Sequence, residues 1–340
     1  MSDPLEVVEQ ASHRIRLDVH AHVIPFRSGA SERLEDVDWT GAGWLRIDGA
    51  ELATPELYDV EALIGWMDAQ GVEEAWISIP PTLYRPALSV DRTRAWTQAV
   101  NDGLAAVAAR VPMRLAPLLH LPMQHPALAA EVADAATAIG RARFAMPAGS
   151  AQHGLTFSDP RYEPLWTALN RARAFLFLHP SRGCDPRLDP FHLHNLLGGP
   201  AETALAAAHL VMSDVVTRHP DISFCLAHGG GATAAVAGRL QRGQSTGRSG
   251  VSAEPDGIRR GLRRFCVDCI THDAAALRLA AFVHGADHVL FGSDWPFVMG
   301  LPDPHRQLSD VDPTLLRGLF IDNPERLLRA GCGVREERAQ

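Results

Sequence analysis

Short apolar runs recur along the chain, separated by longer amphipathic or alanine-rich segments. Eight runs show little alternation between apolar and polar residues, which is typical of parallel strands covered on both faces. We predict strands over residues 15–20, 75–80, 114–120, 142–147, 175–180, 223–228, 265–270 and 288–294. Helices are predicted between the strands, for example over residues 60–70, 92–110, 127–140, 163–173, 202–218 and 274–285.

Eight strand–helix units within 340 residues predict an α/β fold of the TIM (β/α)8 barrel type. A doubly wound open sheet is the alternative. We find no internal repeat and no linker, and expect residues 1–340 to form a single domain. The long connection 23–58 after the first strand predicts a small lid insertion, because barrel enzymes place substrate-recognition elements after their strands.

Composition narrows the class of protein. With 46% hydrophobic and 21% charged residues the chain is an ordinary globular protein, and a net charge of −8 disfavours nucleic acid or an acidic membrane as partner. No apolar run approaches the roughly 18 residues of a membrane span, and the N-terminus does not resemble a secretory signal. An odd, scattered set of cysteines favours reduced thiols in the cytoplasm: Cys184, Cys225, Cys266, Cys269 and Cys332.

The sequence contains no lysine, and all 32 of its basic residues other than histidine are arginine. This absence excludes a lysine Schiff base, a phosphate-binding P-loop lysine and a carboxylated lysine that bridges two metal ions. We therefore expect a single metal ion in any metal site of this chain.

A His-x-His pair closes the first predicted strand. Residues i and i+2 of a strand face the same way, so His20 and His22 project together and are suited to a divalent cation. The pair alone is equally explained as polar side chains at a strand end. Asp18 has the same alternation and is interpreted either as a carboxylate that orients a ligand or as a buried structural group.

Three more strands end in polar residues after apolar runs: His179, His228 and Asp294 end the fifth, sixth and eighth predicted strands. The carboxyl ends of barrel strands surround one mouth, where barrel active sites lie. We therefore predict one shared metal site. Nitrogen and oxygen ligands without thiolate favour zinc, with manganese or iron as alternatives, and a histidine beside the metal would transfer protons.

Other motifs have simpler interpretations. Cys266 and Cys269 have redox-motif spacing, but three residues along a strand face opposite ways, so we expect buried cysteines. The glycines Gly229–Gly231 after the sixth strand indicate close approach of backbone to substrate. His120 and His153 follow the third and fourth strands and are candidate substrate contacts.

The chain resembles the amidohydrolase superfamily, and within it the decarboxylases related to 2-amino-3-carboxymuconate-6-semialdehyde decarboxylase. The resemblance spans most of the chain. It is carried by the His-x-His pair and by the segments 121–124, 179–180, 199–203, 227–231, 238–240 and 292–297. It implies metal ligation by His20, His22, His179 and Asp294. It also implies a catalytic acid/base role for His228, next to the metal-bound water, with Asp294 sharing in catalysis.

The same resemblance implies substrate contacts. Arg239 matches an arginine that reaches a neighbouring subunit's site and clamps a carboxylate, which implies a homodimer. Arg46 in the lid segment is matched to a second clamp, and Trp295 and Phe297 to the substrate wall. The chain departs from the family at Ser181, where the decarboxylase has an aromatic residue, and in the lid.

These implications favour a lyase that removes CO₂ non-oxidatively from an unsaturated or aromatic carboxylic acid, with one divalent metal and no organic cofactor. A hydrolase or hydratase that uses the same metal centre is the first alternative, distinguished by incorporation of water rather than release of CO₂. A non-catalytic homologue is the second, and it is disfavoured because all five site residues are present.

Overall fold

The computed structural model describes residues 14–26, 36–149, 154–181, 185–247, 250–251 and 257–330. The strands in chain order are β1 (Asp18–His22), β2 (Val37–Trp39), β3 (Leu45–Ile47), β4 (Ala50–Leu52), β5 (Ala75–Ser78), β6 (Leu115–Pro117), β7 (Leu119–His120), β8 (Arg143–Pro147), β9 (Phe175–His179), β10 (Ser223–Leu226), β11 (Phe265–Asp268) and β12 (Val289–Leu290). Strands β2, β3 and β4 form a small antiparallel sheet, and the others pair in parallel.

The parallel strands close into a ring. Hydrogen bonds join β1 to β5 and β5 to β6, and then join β7 through β12 in sequence order. β6 and β7 are parts of one strand, because only Leu118 separates them and its N–H donates to Ile77 O at 2.8 Å. At the other edge the N–H of Val19 donates to Phe291 O, directly after β12, at 3.0 Å. The eight-stranded TIM barrel is therefore confirmed, since an open doubly wound sheet would leave two edges.

Helices surround the barrel: α1 (Val60–Gln70), α2 (Val90–Ala108), α3 (Pro126–Ala138), α4 (Glu163–Arg171), α5 (Gly199–Met212), α6 (Val215–Arg218), α7 (Thr233–Ser245), α8 (Gly257–Leu262), α9 (Ala274–His284), α10 (Pro304–Gln307), α11 (Pro313–Arg317) and α12 (Asn323–Arg329). The helix predicted over 202–218 is two helices, because Asp214 between them has a positive φ of 57°. No helix in the described ranges combines the length and apolarity that a bilayer crossing requires.

The insertion predicted after the first strand is confirmed as the antiparallel sheet of β2, β3 and β4. Alternation along β3 places Leu45 and Ile47 in the hydrophobic core and Arg46 on the exposed face. Arg85 ties the sheet to the barrel through two hydrogen bonds to Asp48, Nε–Oδ2 at 3.0 Å and Nη2–Oδ1 at 2.6 Å. The lid sheet is therefore anchored by both apolar packing and an ion pair.

Bulky side chains fill the barrel interior below the carboxyl ends of the strands. The ring of Trp76 meets that of Phe175 edge to face, with centroids 4.6 Å apart. The remaining members of this buried cluster include Leu17, Val19, Leu118, Ala145, Phe177, Cys225, Ala227 and Leu290. Cys269 is buried as predicted, but Cys266 is only partly buried, so the prediction of two buried cysteines is wrong for Cys266; Cys225 is a further buried thiol. Because this layer is apolar, a polar site is confined to the mouth above it.

Candidate metal centre

The His-x-His pair stands on an irregular stretch of β1. The pairing of β1 with β5 shifts register within the strand, and such a bulge changes which residues face inward. Val19 belongs to the apolar interior, and the next residue, His20, also faces inward, with its ring centroid 4.7 Å from that of Phe177. His22 follows two residues later. The bulge therefore places both imidazoles directly above the apolar layer.

Each of three predicted ligands has one ring nitrogen engaged by an oxygen acceptor. These are His20, His22 and His179, all buried. The acceptors of their Nδ1 atoms are Asp268 Oδ2 at 2.8 Å, Ile79 O at 3.1 Å and Pro180 O at 2.9 Å, in that order. An acceptor at Nδ1 retains the proton on that atom and leaves the Nε2 lone pair for a metal.

The remaining donor atoms converge. Nε2 of His20 and Nε2 of His22 lie 3.1 Å apart, and they lie 3.2 and 3.1 Å from Asp294 Oδ1. One donor atom from each of His20, His179, His228 and Asp294 lies within 4.8 Å of the others. Asp294 Oδ1 is buried without a hydrogen-bond partner in the described structure. Ligands that bind one cation at about 2.0–2.2 Å stand about 3 Å apart, so this donor set fits a divalent metal.

Charge is balanced within the cluster. Burial disfavours the Asp294 carboxylate, but the nearby His20 holds the pKa of Asp294 well below its usual range. Burial likewise opposes the His20 imidazolium, yet Asp294 and Asp268 raise the pKa of His20 to about 10. The pKa of His179 is lowered well below its usual range by burial and by the neighbouring His20. A metal ion must therefore displace a proton from the cluster on binding.

His228 and Asp294 both adopt a strained backbone conformation. Their φ angles are 56° and 55°, in the left-handed region that side chains other than glycine rarely enter. Hydrogen bonds hold both residues there, because His228 N donates to Asp268 Oδ2 at 2.9 Å and Asp294 N donates to His20 O at 2.8 Å. His228 Nε2 lies 3.9 Å from Asp294 Oδ2, and its side chain is 24% exposed, the most open of the group.

Asp268 is the site residue that sequence reasoning missed. Its carboxylate accepts the His20 Nδ1 hydrogen bond and the N–H of His228, as well as the N–H groups of Gly229 at 2.8 Å and Ile270 at 3.1 Å. The sequence does contain a signal for Asp268, because it is a carboxylate within the otherwise apolar predicted strand 265–270.

Asp18 is a structural carboxylate of the barrel closure. Its Oδ1 accepts from His20 N at 2.9 Å and from Ser293 N at 3.0 Å, and its Oδ2 accepts from Ser293 Oγ at 2.5 Å. Burial raises the pKa of Asp18 to about 7. The side chain thus joins the first strand to the segment after the last, rather than orienting an imidazole ring.

The three glycines after β10 are required by the chain itself. Gly231 has a φ of 58°, and a Cβ there would lie 2.4 Å from Pro200 O. Gly229 has a φ of 63°, and its Cβ would lie 2.4 Å from Thr271 Cγ2. Contacts with Pro200 and Thr271 therefore account for glycine at 231 and 229, and close approach to substrate stays a prediction.

The predicted substrate contacts lie on separate elements of the fold. Phe297 stands beside the cluster, with its ring centroid 5.5 Å from that of His22, and Trp295 is buried next to it. Arg239 is exposed on α7. Arg46 is exposed on the lid sheet, with Nη2 3.8 Å from Glu51 Oε2. Among the earlier candidates, His153 lies outside the described residues.

A profile of the amidohydrolase family matches residues 17–330 of the 340-residue chain. The chain belongs to the amidohydrolase family. This amidohydrolase is 26% identical over 312 residues to the 2-amino-3-carboxymuconate-6-semialdehyde decarboxylase of Dictyostelium discoideum, covering 87% of the chain and 86% of the relative. It is 25% identical over 252 residues to the gamma-resorcylate decarboxylase of Rhodococcus jostii, covering 68% and 75%. The predicted relationship to the decarboxylase branch is confirmed.

Solved structures show the same fold. The 5-carboxyvanillate decarboxylase of Sphingomonas paucimobilis superimposes with a TM-score of 0.75 at 21% identity, covering 93% of this chain and 99% of its own. A 5-carboxyvanillate decarboxylase of Novosphingobium aromaticivorans, complexed with manganese, superimposes with a TM-score of 0.74 at 19% identity, covering 94% and 97%.

We predict that Asp268→Asn lowers metal affinity about 10–100-fold, because removing the oxygen partner that orients a ligating histidine has effects of this size. Competition with a chromophoric chelator at fixed pH measures the affinity. Asp273→Asn is the matched control, since Asp273 accepts a hydrogen bond from Ala276 N at the start of α9 and lies outside the cluster. Wild-type affinity in Asp268→Asn would show that this carboxylate does not position His20 for the metal.

Proposed function

We propose that this amidohydrolase is a metal-dependent decarboxylase that removes CO₂ non-oxidatively from an unsaturated or aromatic carboxylic acid. The observation that carries the proposal is that Nε2 of His20 and Nε2 of His22 lie 3.2 and 3.1 Å from Asp294 Oδ1, with donor atoms of His179 and of the more open His228 within 4.8 Å of those of His20 and Asp294. The decarboxylases among its relatives favour this reaction over others of the superfamily.

His20, His22, His179 and Asp294 would hold one divalent cation. His22 is preferred to His228 as a ligand, because its Nε2 is 3.1 Å from Asp294 Oδ1 while that of His228 is 3.9 Å from the other carboxylate oxygen. Bound there, the metal supplies positive charge that stabilises an electron-rich substrate group or lowers the pKa of water. We propose zinc on its ligand preference, with manganese as the second ion to test.

His228 is proposed to carry the proton that the reaction needs. In a decarboxylation the bond between carbon and the carboxylate breaks, CO₂ leaves, and the carbon takes up one proton. His228 is open to the mouth and held by its backbone bond to Asp268, so it can donate that proton from a fixed position. Asp294 Oδ2, on the side facing His228, stabilises the protonated imidazole.

The substrate is proposed to lie between Phe297 and His228, with its carboxylate held by Arg239 of a second subunit. The exposed position of Arg239 on α7 is compatible with reaching outward from its own barrel. The active form would then be a homodimer. Arg46 and Trp295 stay predictions of substrate contact, and cytoplasmic location stays a prediction from the cysteine pattern.

We expect CO₂ release to require the metal. Protein depleted with a chelator should lose activity and regain it with one equivalent of zinc or manganese per chain. The assay screens muconate-type and hydroxybenzoate acids for CO₂ in water labelled with ¹⁸O. Incorporation of ¹⁸O into the product without CO₂ would replace the decarboxylase proposal by a hydrolase or hydratase. Turnover unaffected by full metal depletion would contradict both.

His228→Ala should lower kcat about 10²–10⁴-fold, the usual contribution of general acid–base catalysis, while metal content stays at the wild-type level. Single-turnover kinetics and metal analysis on the same preparation test this. His209→Ala is the matched control, because His209 lies on α5 and contacts Ser158 outside the site. Full turnover in metal-loaded His228→Ala would refute the proton-transfer role.

Arg239→Ala should raise KM about 10–100-fold, because a charge-assisted hydrogen bond to a carboxylate contributes about 1.5–3 kcal/mol. Arg242→Ala, three residues along the same helix, should leave KM unchanged. Mixing Arg239→Ala with His228→Ala under subunit exchange should restore about a quarter of wild-type activity. The reason is that half of the randomly mixed dimers then contain one intact site of two. No recovery in exchanged dimers would place Arg239 in its own subunit's site, and an unchanged KM in Arg239→Ala would place it outside any site.

A further inference from the structure

Tyr84 and His120 form a second feature at the mouth, distinct from the metal ligands. Tyr84 follows the short 3-10 turn Pro81–Leu83 after β5, and His120 ends β7, so both stand at carboxyl ends of neighbouring strands. Their rings are stacked, with 5.6 Å between centroids and 8° between planes. The Tyr84 ring centroid lies 6.4 Å from that of His179. The stacked pair is therefore a flat wall beside one metal ligand.

The polar atoms of this wall are buried without partners. Tyr84 is 3% and His120 1% exposed. Tyr84 Oη, His120 Nδ1 and His120 Nε2 make no hydrogen bond to any described residue. Buried polar atoms are nearly always bonded in folded proteins, and the other fully buried tyrosine, Tyr162, donates its hydroxyl to Met123 O. Three unpartnered atoms on two adjacent side chains therefore indicate a place for a polar group of a ligand.

The local fold does not depend on these atoms. Asn101 holds the backbone of His120 on both sides, since its Oδ1 accepts from His120 N at 2.7 Å and its Nδ2 donates to His120 O at 3.1 Å. The end of β7 is thereby fixed without help from the imidazole. If His120 had only a structural role, an apolar ring at this position would fill the same space without the cost of burying unpaired nitrogens.

Both side chains are electrically neutral. Burial lowers the pKa of His120 to about 3, and burial together with nearby Asp294 raises the pKa of Tyr84 above its ordinary value. A neutral imidazole donates through one nitrogen and accepts through the other, and a phenol both donates and accepts. This combination matches a hydroxyl group. A carboxylate would instead call for an arginine or a metal.

We propose that Tyr84 and His120 select the substrate by hydrogen bonding a phenolic hydroxyl group. The flat stacked wall suits a planar ring, and the metal centre beside it suits the carboxylate of the same molecule. This inference rests on the proposed function for the presence of that carboxylate. It narrows the substrate from unsaturated or aromatic acids in general to hydroxylated aromatic acids.

Calorimetric titration of the metal-loaded protein with 2,6-dihydroxybenzoate and with benzoate tests the proposal without requiring turnover. Wild-type protein should bind the hydroxylated acid at least about tenfold more tightly. Tyr84→Phe and His120→Phe should each bring the affinity ratio toward one while leaving benzoate affinity unchanged. Equal binding of both acids by wild type, binding of neither acid, or an unchanged ratio in both variants would overturn the proposal.

Thermal unfolding separates recognition from a structural role. Tyr84→Phe should leave Tm unchanged or raise it, because it removes an unpaired buried hydroxyl. The matched control Tyr162→Phe should lower Tm and leave the affinity ratio unchanged, since it breaks an existing hydrogen bond. An equal fall of Tm in Tyr84→Phe would assign its hydroxyl to the fold and refute the proposal. If the affinity ratio behaves as expected but no CO₂ is released, the decarboxylase function fails and the recognition role stands.

Discussion

The Asp268 carboxylate is the interaction on which the mouth of this barrel depends. It is fully buried, and it bonds simultaneously to the ring of His20 and to the backbone of His228, Gly229 and Ile270. A buried anion is tolerated only where donors surround it, and here those donors belong to the groups that form the site. One side chain therefore orients a proposed metal ligand and also stabilises the strained backbone conformation of the proposed proton carrier.

Around Asp268 the site contains two regions of different electrostatic character. The cluster of His20, His22, His179 and Asp294 concentrates unshared donor atoms in a buried volume, which suits a cation. The wall of Tyr84 and His120 is neutral and equally buried, and it suits an uncharged polar group. His228 is partly exposed beside the metal-binding cluster, and this exposure allows its imidazole to exchange protons with solvent. In the proposed function, each region binds or reacts with a different part of one substrate.

Much of this arrangement was predictable from the sequence. Apolar runs located all eight strands of the ring. The amphipathic pattern predicted α1 over the residues that it occupies, where Asp59 caps its start and Gly71, with a φ of 69°, ends it. Polar residues at the ends of apolar strands identified His20, His179, His228 and Asp294, since a closed barrel has one mouth. The break at Asp214 was missed because an aspartate in the left-handed conformation has no distinctive pattern.

The amino-acid sequence by itself determined the fold, the family and the residue types available at the mouth, because strand period and motif spacing are local properties. Only the tertiary structure decided how those residues are paired. It paired Asp268 with His20, 248 positions apart, and exposed Arg46 to solvent. It also left the Tyr84 hydroxyl and the His120 ring nitrogens without a hydrogen-bond partner among the described residues. Hydrogen bonding depends on distances between atoms of separate strands, and these distances exist only once the ring has closed.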